Sequence, residues 1–430
     1  MEQRMNDWNR RDFVKATAVL GAASLVPSAF ASGLRGKVDD TIRVGVIGCG
    51  GRGTGAAFNA LAAHPMVNIV ALADLFEDRL NSSYGWLIDN DDFSDRVKVD
   101  PAHKFVGFDA YKQLLAIKDI DYVILATPPG FRPMHFDTAV NAGKHVFMEK
   151  PVAVDPAGIR MVIDAAARAK QQALSVVAGT QRRHEDSYLA LMQRVNNHEL
   201  GDIVSASCYW NQGGLWVHDR KPEYSDMEWQ CRNWLYFGWL SGDHICEQHV
   251  HNIDVINWAM GGSPVRATGM GGRQVRTDPK YGNIFDHFSI EYEYPDGMTM
   301  QSMCRQIDGC ATRVEEVIVG SKGRAVSRPG FAVIEGRNQW RFTDENRNPY
   351  DREHVNLIDS ITGQGRYLNE AKQVAESTLT AIMGRMSAYT GKSVTWEQAM
   401  NSKLDLSPEA YTFSDLPVRP VAVPGKTELI

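Results

Sequence analysis

Residues 42–74 read IRVGVIGCGGRGTGAAFNALAAHPMVNIVALAD, and the order of signals in this stretch decides the fold. Residues 42–47 are a short apolar, β-branched run, the composition of a strand buried on both faces. The run opens into Gly48-Cys49-Gly50-Gly51-Arg52-Gly53 and then a helix-like stretch to Ala63. A second apolar run over 67–73 ends at Asp74. Gly48 suits a tight turn, Gly50 a close approach of backbone to a pyrophosphate, and Gly53 the packing of helix on strand. Gly51 and Arg52 fall within the turn and join the expected cofactor-binding residues, and the N-terminus of the helix that follows would face the phosphates. Asp74 lies about 20 residues beyond the last glycine, where a carboxylate hydrogen-bonds adenosine ribose hydroxyls and repels a 2′-phosphate. The stretch therefore predicts a βαβ unit that binds a nicotinamide dinucleotide, NAD ahead of NADP. A glycine-rich turn alone could simply join strand to helix, and Asp74 could simply cap the next helix. Strand, turn, helix, strand and acid in that order favour the dinucleotide site.

Further along, strand-like runs at 122–126 and 145–148 flank a helix-like stretch over 135–142 and continue a parallel α/β pattern. They end in Thr127-Pro128-Pro129-Gly130 and Glu149-Lys150-Pro151, turns that should edge the cofactor site, because open α/β sheets bind ligands beyond the carboxyl ends of their strands. Asp155-Pro156 reads as a helix N-cap and first position, and 174–178 as another strand before Gly179-Thr180-Gln181-Arg182-Arg183. From Ile203 the pattern changes to alternating runs at 203–210, 287–294 and 299–304, with Pro295-Asp296-Gly297 as a turn. Phe288, Ile290, Tyr292 and Tyr294 share one face of such a strand. Residues 369–389 carry apolar side chains at helical spacing, closed by Thr390-Gly391-Lys392. The expected class is α/β: a Rossmann dinucleotide-binding domain over 40–183, then an α+β domain over 184–430 with a mainly antiparallel sheet.

The 430 residues suffice for two or three domains. Lys plus Arg number 46 and Asp plus Glu 52, a formal charge of −6 without a long basic run, which argues against a nucleic-acid partner. Cys49, Cys208, Cys231, Cys246, Cys304 and Cys310 show neither CxxC nor zinc-ribbon spacing and read as scattered core thiols. At the N-terminus, Arg10-Arg11-Asp12-Phe13 precedes an apolar stretch over 16–31 that ends Ala29-Phe30-Ala31. This order reads as a twin-arginine signal peptide over residues 1–31, handled by the twin-arginine export machinery and removed outside the cytoplasm. The apolar stretch is short for a membrane span and contains Pro27, so no stable membrane anchor is expected. The expected location is periplasmic or extracellular, where free NAD is scarce, so the cofactor should be bound tightly and recycled in place.

The glycine turn, Asp74, the stretch Gly143-Lys144-His145-Val146-Phe147-Met148-Glu149-Lys150-Pro151 and His251-Asn252-Ile253-Asp254 together resemble the glucose-fructose oxidoreductase and inositol dehydrogenase family (Gfo/Idh/MocA). The resemblance covers nearly the whole mature chain. It implies a C-terminal domain whose open sheet mediates contacts in a homo-oligomer. It also implies hydride transfer on a secondary alcohol of a sugar, polyol or glycoside, with the lysine of the Glu-Lys-Pro turn beside the nicotinamide.

Such chemistry needs a group to take the hydroxyl proton and one to hold the developing oxyanion. Lys150 suits the second task; a solvated surface lysine is the plain alternative. His251 is the candidate acid/base, and Glu247, four residues earlier, would share a helix face with it and with Asp254 and Trp258, raising the imidazole's basicity. Relatives carry aspartate at the position of Glu247. Helix-end tethering is the alternative for this pair. Asp243 and His244 are expected to point into the substrate cleft. His244, Glu247, His249 and His251 lack HExxH spacing, so no metal is expected. The run Trp229–Trp239, with Arg232 and Trp234, offers flat faces and hydrogen-bonding groups for a sugar, or else packs a core or a subunit contact. Arg182 and Arg183 read as surface or ion-pair residues. The leading expectation is an exported NAD(P)-dependent oxidoreductase of a carbohydrate hydroxyl. The alternatives are an NAD-dependent glycosidase working by transient oxidation and elimination, and a non-enzymatic NAD-bound sensor.

Overall fold

The computed structural model describes residues 41–430, and the expected export signal falls outside them. The deciding stretch folds as β1 (Ile42–Ile47), α1 (Gly51–Ala63) and β2 (Val67–Asp74). With β3 (Lys104–Val106), β4 (Tyr122–Leu125), β5 (His145–Met148) and β6 (Val176–Ala178), these strands form a parallel sheet of order β3-β2-β1-β4-β5-β6. The chain runs outward from β1 to β3, then crosses back to place β4 on the other side of β1. That reversal is a topological switch point, where the loops part and leave a crevice at the strand ends. In β1 every residue but Arg43 is buried, as a strand covered on both faces requires. One face packs on α2 (Arg132–Asn141) and α3 (Pro156–Gln171), through Val123, Leu125, Val146 and Met148 against Phe136, Val140, Ile159 and Val162. Asp155 caps α3 by accepting from the Gly158 N–H at 2.7 Å.

The second sheet has nine strands in the order β14-β13-β12-β11-β7-β10-β9-β8-β15. They are β7 (Ile203–Gln212), β8 (Arg266–Gly272), β9 (His287–Glu293), β10 (Thr299–Gln306), β11 (Arg313–Gly320), β12 (Gly323–Arg328), β13 (Phe331–Gly336), β14 (Trp340–Arg341) and β15 (Val394–Thr395). Only the β7–β10 pair is parallel, so the sheet is mixed and mainly antiparallel. Phe288, Ile290, Tyr292 and Tyr294 are all buried on one face, as their alternation predicts. That face is covered by helices α4 (His244–Glu247), α5 (Val250–Met260) and the long helix after residue 370. The other face is open and carries Val204, Met270 and Met303 exposed.

After the second sheet the chain returns to the first. Helix α6 (Pro349–Thr362) lays Leu357 and Ile358 against Val44, Val46, Ile124 and Phe147, on the face that α1 also covers. The Asn59 amide donates to Asp351 at 2.7 Å, and Asn369 forms a β-bridge with Val176. Helix α7 (Ala371–Thr390) then crosses back beneath β8 and β9 and ends at Gly391, whose φ of 73° gives the left-handed stop expected there. Among the described residues, no helix is long and apolar enough to cross a membrane.

Three buried histidines tie stability to pH. Burial pushes the pKa of His135 and His249 down to about 3 and that of His145 down to about 4. The Nδ1 of His145 accepts the Ser175 N–H at 2.8 Å, a bond available only to the neutral ring. Because these values lie below that of an exposed histidine, the unfolded chain binds protons first as pH falls. The stability they contribute is complete above about pH 6.5 and is lost progressively toward their folded values. The midpoint of thermal unfolding at constant ionic strength should therefore begin to fall between about pH 6.5 and 5, before ordinary carboxylates titrate. An unchanged midpoint across that interval would contradict this account.

Candidate active site

The carboxyl ends of the first sheet open into a cleft of about 600 Å³, closed from the other side by residues of the second half of the chain. Its floor is the turn after β1. Gly48 has φ +97°, and a Cβ there would stand 2.5 Å from the Thr127 nitrogen, so the β1 and β4 turns touch backbone to backbone. A Cβ on Gly53 would collide with the Gly48 carbonyl oxygen, which is how α1 seats on the turn. Gly50 and Gly51 meet nothing within 4 Å on that side and line the cleft. The first N–H groups of α1 thus lie beside an open, Cβ-free cradle at the positive end of a 13-residue helix. This arrangement fits a dinucleotide pyrophosphate.

Asp74 is held by two backbone donors, with the Cys49 N–H on Oδ2 at 2.6 Å and the Phe76 N–H on Oδ1 at 2.8 Å. Burial raises its pKa, and those two bonds oppose the rise. A carboxylate gripped in this way keeps lone pairs for hydroxyl donors from the cleft. On the β4 side, the buried guanidinium of Arg132 donates to the carbonyls of Leu125 and Thr127, both at 2.6 Å, and fixes the turn that carries Thr127 and Pro128.

Glu149 and Lys150 follow β5. Glu149 pairs closely with Arg52, whose guanidinium also stands 3.9 Å from Glu353 and over the Tyr350 ring. Glu353 is fully buried, and burial together with Glu149 pushes its pKa well up. The Lys150 ammonium donates to the Glu247 carbonyl and lies 3.2 Å from the Glu247 carboxylate. His251 stacks on Trp210 at 5.8 Å between ring centroids, and its Nδ1 is buried without a hydrogen-bond partner. Burial, then the charges of Lys150, Arg182 and Arg52, push its pKa well below that of a free histidine. His251 is therefore neutral.

Of the residues singled out in the sequence, Gly48, Gly50, Gly51, Arg52, Asp74, Thr127, Pro128, Glu149, Lys150, Arg232, Trp234, Glu247 and His251 line the cleft; Gly53 supports it from below. Three expectations need correction. The expected pairing of Glu247 with His251 does not form. Helix α4 ends at Glu247 and α5 starts at Val250, so the four-residue spacing crosses a break and the carboxylate turns to Lys150. With cations rather than a carboxylate around it, the imidazole becomes less basic, not more.

Asp243 and His244 are absent from the cleft lining. Asp243 is wholly buried and accepts from the His244 N–H, the Phe285 N–H and the Tyr389 hydroxyl, knotting this loop to the β9 approach and α7. Arg232 lines the cleft on the adenosine side, bonded to Asp78 at 3.2 Å and stacked 3.9 Å over Phe76, both just beyond Asp74. That position argues against a place in the substrate wall. Trp234 reaches the cleft beside Trp216, while Trp229, Tyr236, Phe237 and Trp239 are buried in one apolar cluster.

The histidine cluster diverges, with His244 on Asp243 and His249 on the Ser302 hydroxyl at 2.7 Å. Arg182 and Arg183 form buried ion pairs with Glu316 and Asp254. Gln181, Tyr350 and Glu353 escaped the sequence reading. The last two arrive from about 300 residues beyond the turn they serve, and no local pattern announces that return.

A parallel sheet with a glycine cradle at its switch point, and a lysine and a histidine lining the same cleft, defines a two-domain dinucleotide-dependent oxidoreductase. The chain belongs to the GFO/IDH/MocA family: residues 42–178 match "Oxidoreductase family, NAD-binding Rossmann fold" and residues 188–326 match "GFO/IDH/MocA C-terminal domain". It is 25% identical over 72% of its length to a glycosyl hydrolase family 109 protein of Streptomyces coelicolor, covering 68% of that protein. It is 26% identical over 51% of its length to an inositol 2-dehydrogenase of Agrobacterium fabrum, covering 54% of that chain. Its fold is like that of the Lactobacillus casei scyllo-inositol dehydrogenase solved with NAD(H) and scyllo-inositol, with TM-score 0.63, 20% identity and 83% and 99% of the two chains covered.

Removing the Asp74 carboxylate should cost NAD its ribose contact. In Asp74→Ala, fluorescence titration should show NADH bound about tenfold more weakly and the gap to NADPH narrowed. An unaltered preference between the two would remove Asp74 from the ribose site.

Proposed function

We propose that this protein transfers a hydride between a secondary hydroxyl of a sugar, polyol or glycoside and a resident nicotinamide cofactor, NAD in preference to NADP. The observation that carries this reading is Lys150 at the carboxyl end of β5, lining the same cleft as neutral His251 and acting on it through its charge. When bound, the nicotinamide supplies the hydride acceptor or donor. The glycine cradle holds the pyrophosphate and Asp74 the adenosine ribose, where its charge disfavours a 2′-phosphate. Lys150, aimed by Glu247, holds the substrate oxygen and stabilises negative charge as it develops there. His251 is already deprotonated and takes the hydroxyl proton.

Residence of the cofactor is supported at the adenosine end. Residues 406–416 of the C-terminal segment run from Asp155, which accepts the Leu406 N–H, to the Asp226–Arg232 helix, where Gln230 donates to the Leu416 carbonyl. Between these anchors, Phe413 stacks on Phe76 at 5.9 Å and meets Phe108 at 5.0 Å, while Tyr411 meets Phe131 at 5.7 Å. Phe76, Phe108 and Phe131 all line the cleft. Its adenosine wall is thus backed by chain that must shift before the wall can open. A trapped cofactor suits the export expected from Arg10-Arg11, since a protein folded around its dinucleotide need not find one outside. Protein purified without added nucleotide should release NAD(H) on denaturation, read by mass spectrometry, and Arg10→Lys with Arg11→Lys should retain it in the cytoplasmic fraction. An empty native protein, or unimpeded export, would end the corresponding part of this proposal.

The similarity to a glycosyl hydrolase family 109 protein favours one second reading, in which the same oxidation is transient and allows elimination of a glycosidic bond before the hydride returns. Aryl glycosides separate the two: aglycone released without net NADH marks the glycosidase, a stable keto-sugar the dehydrogenase. In both cases Lys150→Met should keep NADH binding and lose turnover by about two or more orders of magnitude, because a transition-state contact is lost rather than cofactor affinity. Wild-type rates in that variant would exclude Lys150 from the chemistry.

A further inference from the structure

Strand order sets the course of a dinucleotide over the sheet. Asp74 at the end of β2 marks the adenosine side, the pyrophosphate crosses at the β1/β4 switch point, and the nicotinamide lies toward Lys150 after β5. The adenine base, beyond its ribose, falls past Asp74, between Phe76 and the part of the second half that faces it. A purine is flat and binds to an aromatic face, so it needs a ring with a face to spare.

Phe76 is already covered. The Arg232 guanidinium lies 3.9 Å from its centroid, and Phe413 stacks on it at 5.9 Å. Arg232 in turn is held by Asp78 at 3.2 Å and Glu228 at 3.0 Å. Trp216 is different: it lines the cleft and is 42% exposed. Its ring neighbours are His218 at 4.8 Å, Trp234 at 6.0 Å and Tyr236 at 6.3 Å, inclined by 41°, 59° and 81°, so none lies flat against it. Trp234 is two residues on from Arg232, and partial burial with the charges of Arg79 and Arg232 pushes the His218 pKa down, so this group stands on the adenosine side.

The backbone beneath the indole is fixed. The Gly214 N–H donates to Asp308 at 2.8 Å, the Tyr236 hydroxyl donates to the carbonyls of Leu215 at 3.2 Å and Trp216 at 2.8 Å, and the His218 N–H donates to the Asn233 side chain at 2.9 Å. A side chain on so firm a footing loses little freedom when a ligand covers it, and covering an exposed indole face removes apolar surface from water.

We propose that Trp216 is the stacking platform for the adenine ring of the cofactor, so that the dinucleotide is gripped by both halves of the chain: ribose and pyrophosphate by the first, adenine by the second. The proposal rests on the dinucleotide-binding part of the reading above and names the residue that holds the base. Release of the cofactor then requires the second half to withdraw, which adds to the hold of the chain packed behind Phe76 and Phe131.

The test uses full-length protein stripped of resident nucleotide, its fold checked by circular dichroism, and calorimetric titration with NADH, with ADP and with reduced nicotinamide mononucleotide. Trp216→Ala should weaken NADH and ADP about tenfold or more, the worth of one base stacked on an aromatic ring, and leave the mononucleotide bound as in wild type. Trp216→Phe should keep most of the affinity for all three. Should Trp216→Ala fail to fold, Trp216→Leu, which keeps bulk without an aromatic face, is read in the same way. Unchanged NADH and ADP affinity in a folded variant overturns the platform, whatever happens to carbohydrate binding, and leaves the oxidoreductase reading standing. Equal losses for NADH and the mononucleotide also overturn it, since the indole would then support the cleft at large. If wild type binds neither NADH nor ADP, the dinucleotide reading falls and takes the platform with it.

Discussion

The contact on which the rest of the structure depends is the meeting of two backbone turns at the switch point of the first sheet. Gly48 lies against Ala126 and Thr127 with no room for a side chain, and α1 sits on the same turn through Gly53. Because these backbones touch, the ends of β1 and β4 are fixed relative to each other, and α1 can only point its N-terminus into the crevice between their loops. Arg132, donating to two carbonyls of the β4 turn, holds that side rigid. Asp74 and Lys150 then fall on opposite flanks of the crevice, carried there by β2 and β5. Their separation is a property of the sheet and requires no further tuning by side chains.

A second constraint is the closing of the cleft by distant chain. The N-terminal sheet offers one wall; α5, the segment around Trp216 and Arg232, and α6 supply the rest, with Tyr411 and Phe413 packed behind Phe131 and Phe76. The return of α6 matters most, because it inserts Glu353 and Tyr350 around Arg52. One guanidinium there faces two carboxylates, and full burial of both charges would be expensive. Arg52 pairs closely with Glu149, and burial pushes the pKa of Glu353 well up, so the cost of a second buried charge is reduced. Arg52 is thereby pinned beside the cradle instead of swinging into it.

Legibility in the sequence followed locality. The βαβ unit could be read because its requirements are backbone requirements at fixed spacing: Gly48 for a positive φ, Gly53 for close packing, and an acid at the end of the next strand. The Glu149-Lys150-Pro151 turn could be read because strand ends gather at the cleft in any open parallel sheet. What failed depended on helix continuity or on long-range packing. Glu247 and His251 looked like helix neighbours, but the chain breaks at Gln248 and His249, a discontinuity that helical spacing does not encode. Asp243 and His244 had the composition of site residues and serve as a buried knot, because a carboxylate satisfied by two backbone N–H groups and a tyrosine is as stable in a core as it would be useful in a cleft. Strands β11 and β12 went unread because the buried polar residues Glu316 and Ser327 interrupt their alternation. The aromatic run around Trp234 proved mostly core.

The environment of His251 bears on the kind of cycle such a site can support. A histidine backed by a carboxylate is made more basic and keeps a proton it receives. His251 is instead buried among Lys150, Arg182 and Arg52, so its protonated form is disfavoured and a proton taken from substrate is held only weakly. Weak retention means that the proton is passed on at once, to a substrate oxygen or to solvent. If the cofactor stays enclosed as proposed above, its hydride must be returned to a second molecule or to the first after rearrangement. On the reading proposed above, the low basicity of His251 and the backed adenosine wall are two parts of one design, in which proton and hydride leave the substrate together and come back together. Paired oxidation and reduction, and transient oxidation ahead of elimination, both meet that condition.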